Sequence, residues 1–194
     1  MMLSTSMRVV AIASLSAQLA LGFAPEMSRS QFWKQGVSAT VTIAATSLVP
    51  LHPVFAADEK FVNLPDEKLK EIVKKDILEK QFLATGQLTR QIYDESSTFT
   101  DEIDTYALDK WIQGTQKLFR GEKSTVRLVG DVNVSKEQIY FLFDEDLVFN
   151  VPFQPKVSLT GKVVLARDAS TGLIMSYREF WDQDVLTVLT SATF

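Results

Sequence analysis

Two aspartates at the end of a short strand-like segment are the side chains best suited to acid–base chemistry. Residues 98–101 are rich in Thr and Phe, which favours a strand, and Asp101 and Asp104 belong to the acidic run that follows. An aspartate walled by aromatic side chains has a raised pKa and can move a proton next to a carbonyl group. Asp101 is therefore a candidate general base with Asp104 as its partner. The alternative is structural: Asp101 ends the strand, and Asp104 or Thr105 caps the next helix.

Other catalytic groups are scarce in this sequence. It has no Cys, and its one His, His52, lies in a segment that we predict to be removed. Without these residues, disulfides, thiolate nucleophiles, Ser-His-Asp catalysis and most zinc sites are excluded from the folded domain. Asp144, Glu145 and Asp146 could hold a hard cation, but consecutive strand residues point to opposite faces and a calcium-loop pattern is missing. The sequence predicts neither a metal nor a cofactor.

Aromatic side chains are numerous enough to line a cavity for a flat apolar ligand, although large aromatics also build ordinary cores. The predicted lining consists of Tyr93, Tyr106, Trp111, Tyr140, Tyr177 and Trp181, together with one acid, Glu179. If Tyr177, Glu179 and Trp181 share the inner face of a strand, the Glu179 carboxylate needs a partner, since an unpaired buried charge is costly. Arg127 or Arg178 could supply it, and an internal ion pair without catalysis is the expected outcome.

The first 22 residues are predicted to form a signal peptide. Arg8 precedes an uncharged run, residues 9–25, as in the charged and apolar regions of such a peptide. Residues 20–25, ALGFAP, resemble the cleavage context, with Phe directly after the cut, of plastid precursors in algae with secondary red-lineage plastids. This resemblance implies a plastid protein.

Residues 23–56 are predicted to be a plastid transit and thylakoid-transfer segment. A second uncharged run, residues 35–57, ends on small residues just before Asp58 and is similar to a thylakoid-transfer signal cleaved near Ala56. The predicted location is therefore the thylakoid lumen. The alternative is an uncleaved membrane anchor, against which Pro50 and Pro53 count.

Residues 57–194 are predicted to form a single domain of acidic character. They contain 17 basic and 23 acidic residues, whereas the preceding segment has three basic residues and one acid. Nucleic acids and anionic membranes require clustered Lys and Arg. A nucleic-acid partner is therefore not expected.

Hydrophobic periodicity divides this domain into helices followed by strands. It predicts a helix over residues 66–85 that stops at Gly86, a short helix over residues 87–93, the short strand at 98–101 and a helix from near Thr105 to Gly121. From Ser124 the period changes to two, which predicts four antiparallel strands. The fold class is α+β: a cone-shaped, curled antiparallel sheet covered by about three N-terminal helices.

In this order of elements a strand-borne acid in the segment STFTDEID is followed by a helix and then by four long strands. The order resembles that of the nuclear transport factor two-like superfamily, which includes the SnoaL-like proteins. The resemblance covers residues 66–194. It implies a sheet wrapped around a pocket, and in the isomerase-type members a carboxylate base at the position of Asp101. The isomerase-type pattern also includes a Tyr on the first helix, and this Tyr is missing here. The dehydratase pattern requires a His, and the predicted mature domain has none. Residues 177–184 look like the last strand of plastid members without an assigned activity, and residues 185–194 would extend it or cross the cone mouth.

Two functions are consistent with these features. The first is a thylakoid-lumen pocket or scaffold protein that binds a small apolar ligand or assists a photosynthetic complex, with lumenal photosynthetic proteins as partners. The second is a small cofactor-free isomerase, cyclase or lyase with Asp101 as general base. A homodimer through the outer sheet face is also predicted, from the apolar residues Phe141, Phe143, Val148, Phe149 and 163–165.

Overall fold

The structure is a computed structural model that describes residues 59–194. The predicted signal peptide, the transit and transfer segment, their cleavage sites and the domain start at residue 57 lie outside the described residues. Between residues 59 and 194 no helix is both long enough and apolar enough to cross a membrane.

The described chain contains short helices in its first half and long strands in its second. In chain order the elements are α1 (Asp66–Leu78), α2 (Phe82–Thr85), a 3-10 turn (Arg90–Ile92), β1 (Tyr93–Thr100), β2 (Thr105–Ala107), α3 (Leu108–Leu118), β3 (Thr125–Val134), β4 (Gln138–Val148), β5 (Lys156–Arg167), β6 (Ile174–Trp181) and α4 (Val185–Thr190).

The six strands form one curled, unclosed sheet in the order β2-β1-β6-β5-β4-β3. Strands β3 to β6 are antiparallel neighbours, as predicted, and the α+β fold with a curled sheet and helices is confirmed. The sheet is not antiparallel throughout, because β1 pairs with β6 in parallel. A parallel pair requires a long connection, and here α3 and the other three long strands supply it.

Alternation along the long strands sets the two faces of the sheet. On β4, Ile139, Phe141 and Phe143 are fully buried against the helices, whereas Tyr140 and Leu142 between them are about 40–45% exposed on the outer face. The same period of two continues across β5 and β6. One face therefore carries the hydrophobic core.

The predicted helix over residues 66–85 is wrong in its second half, because the chain breaks at Gln81. Gln81 has a left-handed backbone conformation, with φ of 55°. Its side-chain amide donates to the carbonyls of Ile77, Leu78 and Val126, and its Oε1 accepts the Val126 N–H. The side chain thus closes α1 and ties it to β3, and α2 continues separately to the predicted stop at Gly86.

The short helix predicted over residues 87–93 is also wrong. The Asp76 carboxylate of α1 accepts hydrogen bonds from the Thr89 N–H at 2.7 Å and from its hydroxyl at 2.8 Å, which holds this segment in an extended conformation. Only a 3-10 turn forms before β1, and Tyr93 already pairs with Ile174 of β6. Long-range pairing therefore overrides the local helical pattern.

The surface predicted for a homodimer is largely the core. Phe141, Phe143, Val163 and Leu165 are at most 1% exposed, because they face the helices. The exposed apolar residues of the outer face are instead their neighbours in the alternation, such as Leu142 and Phe180. The assignment of these residues to the outer face is wrong because apolar residues occur on both sides of β4, so the sequence alone did not show which set faces inward. The homodimer itself stays a prediction.

Candidate active or ligand-binding site

A cavity of about 70 Å³ lies between the core face of the sheet, helix α3 and the C-terminal helix α4. Its buried residues include Trp111, Glu145, Leu159 and Glu179. Ile103, which is 42% exposed, belongs to the rim. The lining is mainly apolar, with a few acids, which is the usual composition of a small-molecule site.

The strand alternation places the acids in this cavity. Glu145 follows Phe143 by two positions on β4, and Glu179 precedes Trp181 by two positions on β6, so each acid shares the inward face of its strand. On β5, which lies between them, Gly161 is paired with both Phe143 and Trp181. Because Gly161 has no side chain, the Phe143 ring approaches the β5 backbone closely.

Glu179 is 7% exposed and is held by two neutral donors. The Tyr177 hydroxyl donates to Oε2, and the Trp181 indole N–H donates to Oε1. Burial raises the pKa of Glu179 to about 7, with Asp101 and Glu102 adding to the increase, although both hydrogen bonds oppose it. Near neutral pH this carboxyl therefore exists in both protonation states and can accept or release a proton.

The predicted ion pair of Glu179 with an arginine is wrong. Arg127 lies on the outer face, where it pairs with Asp144 at 2.7 Å and Asp146 at 3.2 Å. Arg178 points away from Glu179 because neighbouring strand residues alternate, and it lies 4.0 Å from Glu102. Neutral donors replace the cation that the sequence suggested.

Glu145 is the functional candidate that the sequence interpretation missed. It is 2% exposed, and its Oε2 has no hydrogen-bond partner among the described residues. Burial, followed by the negative charge of Glu179, raises the pKa of Glu145 well above its usual 4.5. The signal was present in the alternation of β4, in which Glu145 occupies the same face as Phe143 and Leu147.

Asp101 lies at the cavity and also shapes the turn after β1. Its Oδ1 accepts the N–H groups of Ile103 at 2.8 Å and Asp104 at 2.9 Å. Burial raises the pKa of Asp101, and the backbone hydrogen bonds oppose this increase. The side chain has the turn role expected of a strand end, and it is also a lining residue.

The helix-capping alternative for Asp104 and Thr105 is wrong. Thr105 belongs to β2, paired with Thr100, and α3 begins three residues later at Leu108 without a side-chain cap. Asp104 instead accepts the Thr105 N–H at 2.7 Å. It does not line the cavity.

The structure brings only part of the predicted aromatic lining together. Trp111 and Trp181 line the cavity with Asp101 and Glu179. The other four aromatic candidates lie outside the lining: Tyr93, Tyr106 and Tyr177 are buried at 1–2% exposure, and Tyr140 is 40% exposed on the outer face. Tyr177 still acts on the site through its hydrogen bond to Glu179. Its ring stacks on Phe99 with centroids 4.8 Å apart, which fixes that donor.

Residues 185–194 form α4 and a terminal bridge. The Asp184 side chain accepts the Thr187 N–H at 3.0 Å and caps the helix. Val188 and Leu189 then pack into the cavity wall, and Thr193 pairs with Lys156 of β5. Of the two expectations for this segment, extension of the last strand is wrong, because the segment is a helix.

In the part of the chain that the structure describes, no group of three or more His, Cys, Asp or Glu side chains is arranged to hold a metal ion.

Neither a known family model nor a curated protein sequence matches this chain. Solved structures similar to it include a candidate SnoaL-like polyketide cyclase from Jannaschia sp. CCS1, with 13% identity, a TM-score of 0.49 and coverage of 66% of this chain and 96% of the other. An NTF2-like protein from Anabaena variabilis has 18% identity, a TM-score of 0.45 and coverage of 61% and 92%. An NTF2-like protein of unknown function from Burkholderia pseudomallei has 11% identity, a TM-score of 0.47 and coverage of 66% and 100%.

Proposed function

We propose that this protein binds a small, mainly apolar molecule in the cavity between α3, α4 and the sheet. The observation that carries the proposal is a cavity with an apolar wall, two tryptophans and three carboxyl groups. A cavity of about 70 Å³ encloses a group smaller than benzene, for which roughly 150 Å³ is known to suffice. A larger ligand therefore extends past the rim at Ile103.

Native mass spectrometry of the protein purified from its own source tests this proposal. A retained small molecule, lost on denaturation, is the expected result. The matched control is Leu159→Phe, which adds volume inside the cavity, where Leu159 is 2% exposed. The variant should lose the ligand while keeping its circular dichroism spectrum. A folded wild-type protein that arrives empty but with photosynthetic subunits attached would favour the scaffold function instead.

We also propose that the protein acts in the thylakoid lumen of a plastid. The proposal rests on the pattern of residues 1–56, with ALGFAP followed by a second uncharged run that ends near Ala56. Protease protection of the protein in isolated thylakoids, together with the mass of its mature N-terminus, tests both the location and the cleavage site. Digestion of the protein in intact thylakoids would contradict it.

A cofactor-free isomerase, cyclase or lyase is the second candidate. The observation that favours it is the raised pKa of Asp101 and Glu179 at one apolar cavity. In this function the ionised Asp101 removes a proton next to a substrate carbonyl. The electron pair moves onto the carbonyl oxygen, to which protonated Glu145 donates a hydrogen bond. Asp101→Asn should abolish turnover and leave ligand retention unchanged, so retained turnover in this variant would exclude Asp101 as the base.

A further inference from the structure

We propose that the cavity selects a cationic ligand, an apolar amine whose ammonium group lies between Glu145 and Glu179. This inference rests on the proposed binding function and specifies the chemical class of the ligand. Three observations support it: the charge of the lining, the unpartnered Glu145 oxygen and the two tryptophans of the lining.

The lining carries acids and no cationic side chain. Among the described residues that line the cavity, the ionisable ones are Asp101, Glu145 and Glu179, and neither α3 nor α4 contributes a charged side chain to it. An anionic ligand would add a like charge inside a poorly solvated space, which is unfavourable. The lining therefore rejects carboxylates and favours a positive charge.

Glu145 has the acceptor that a ligand N–H would use. Its Oε2 is buried in the cavity wall without a hydrogen-bond partner in the described part of the chain. Buried polar atoms normally have a partner, and an ammonium group has three donors to supply. The Trp181 N–H is already engaged with Glu179 Oε1, so the wall offers few donors to a ligand that only accepts.

The two tryptophans complement such a ligand. Trp111 and Trp181 both line the cavity. Indole faces attract cations, with a contribution of about 2 kcal/mol where the site is desolvated, and they also cover apolar surface. An amine on a small hydrocarbon group would thus find carboxyl groups for its charge and indole and aliphatic surface for its body.

Proton linkage predicts the direction in which the affinity for the amine changes with pH. Glu145 faces Glu179, while its strand neighbours Asp144 and Asp146 pair with Arg127 outside. The other charged or titratable groups near Glu179 are Tyr177, Asp101 and Glu102. A cation binds the ionised carboxylates and competes with their protons, so its affinity should rise with pH through about 7, the pKa of Glu179. A small alkylammonium stays charged throughout, because its pKa lies near the value of about 10.4 for Lys.

Three matched probes with a three-carbon body smaller than benzene test the inference: isopropylamine, acetone and isobutyrate. Each is titrated into the full ¹⁵N-labelled protein, with the Trp181 indole N–H resonance as reporter, because this group donates to Glu179. We expect the amine to bind at least about tenfold more tightly than the ketone at pH 8, a difference of about 1.4 kcal/mol, and the carboxylate not to bind. Amine affinity should fall at least about tenfold between pH 8 and pH 5.

Glu145→Gln and Glu137→Gln form the variant pair. Both remove one carboxyl group, but Glu137 is exposed and outside the cavity lining. Only the Glu145 variant should lose amine affinity, by about tenfold or more, while ketone binding persists in both. Ketone binding equal to or tighter than amine binding would overturn the cationic ligand and leave the pocket function standing. If none of the three probes shifts the Trp181 resonance, the inference fails, whereas the proposed binding function fails only if native mass spectrometry also finds no retained molecule.

Discussion

Replacing Glu179 with Gln should stabilise the protein by about 3 kcal/mol at pH 8 and by only about 1 kcal/mol at pH 5. The Glu179 oxygens accept from the Tyr177 hydroxyl and the Trp181 indole N–H. At pH 5 the carboxyl is protonated, so one oxygen still accepts from Trp181 and the new O–H donates to the Tyr177 oxygen. A Gln side chain offers the same arrangement, since its carbonyl accepts the indole N–H and its amide donates to the Tyr177 oxygen. The variant is therefore a permanent mimic of the protonated state.

The magnitude follows from the pKa of Glu179. Burial raises this pKa from 4.5 to about 7, so the folded state binds the proton more tightly than the unfolded state. The stability that this proton contributes is fully present below pH 4.5 and is lost as the pH rises through 7. With 1.36 kcal/mol per pKa unit, the easier ionisation of Glu179 in the unfolded state lowers the stability of the wild type by about 1 kcal/mol at pH 5 and about 3 kcal/mol at pH 8.

Urea unfolding of the wild type, Glu179→Gln and the exposed control Glu137→Gln between pH 5 and pH 8 measures this effect. The free energy of unfolding of the wild type should fall by about 2.5 kcal/mol more than that of Glu179→Gln over this range. The control should follow the wild type. A Glu179→Gln variant that is less stable than the wild type at pH 8 would refute the reasoning, because it would show that the carboxylate stabilises the fold.

Two further predictions concern the packing around the site. Gly161→Ala should lower the free energy of unfolding by about 2 kcal/mol in urea titrations. The reason is that a Cβ at this position would lie 2.2 Å from the Phe180 carbonyl oxygen and 2.9 Å from Phe143 Cζ. An unchanged urea midpoint would contradict this close approach. Asp76→Ala should cost about 3 kcal/mol, since it removes the buried acceptor of the Thr89 N–H and hydroxyl. Hydrogen exchange at the Thr89 amide should then rise more than at amides of β4, and uniform protection would contradict the local role.

The long strands could be predicted from the sequence because one period of two persists from β3 to β6 and each strand buries one face. The first half of the domain could not, because its conformation depends on distant partners. Gln81 breaks a continuous apolar pattern only because its side chain reaches Val126, 45 residues away. Asp76 likewise holds Thr89 in a segment with helical composition. Such contacts leave no periodic signal in the local sequence.

For the site, the sequence indicated inward-facing Glu179 and a lining role for Trp111, Trp181 and Asp101, and the structure brings these four residues to one cavity. The sequence could not indicate which residue is the partner of Glu179. The choice between Arg178 and Tyr177 depends both on the face of the strand to which each side chain points and on how far that side chain extends. Glu145 was hidden within the run Asp144–Glu145–Asp146, in which only the middle residue faces inward. An acidic run on a strand therefore has to be divided between two faces before its chemistry can be assigned.

The energetics of the two buried glutamates argue that they are placed for a ligand. Glu179 destabilises the folded state whenever it ionises, and Glu145 leaves one oxygen without a partner in the described chain. An apolar residue at either position would avoid these costs, since replacing buried charged groups with well-packed apolar ones is often neutral or stabilising. Between residues 59 and 194 neither acid pairs with a cation or holds a turn, in contrast to Asp76, which organises Thr89 and Lys80. A ligand that supplies hydrogen-bond donors and a positive charge would remove both unfavourable contributions when it binds, and the free energy regained would add to its affinity. The amine titration measures this gain in affinity.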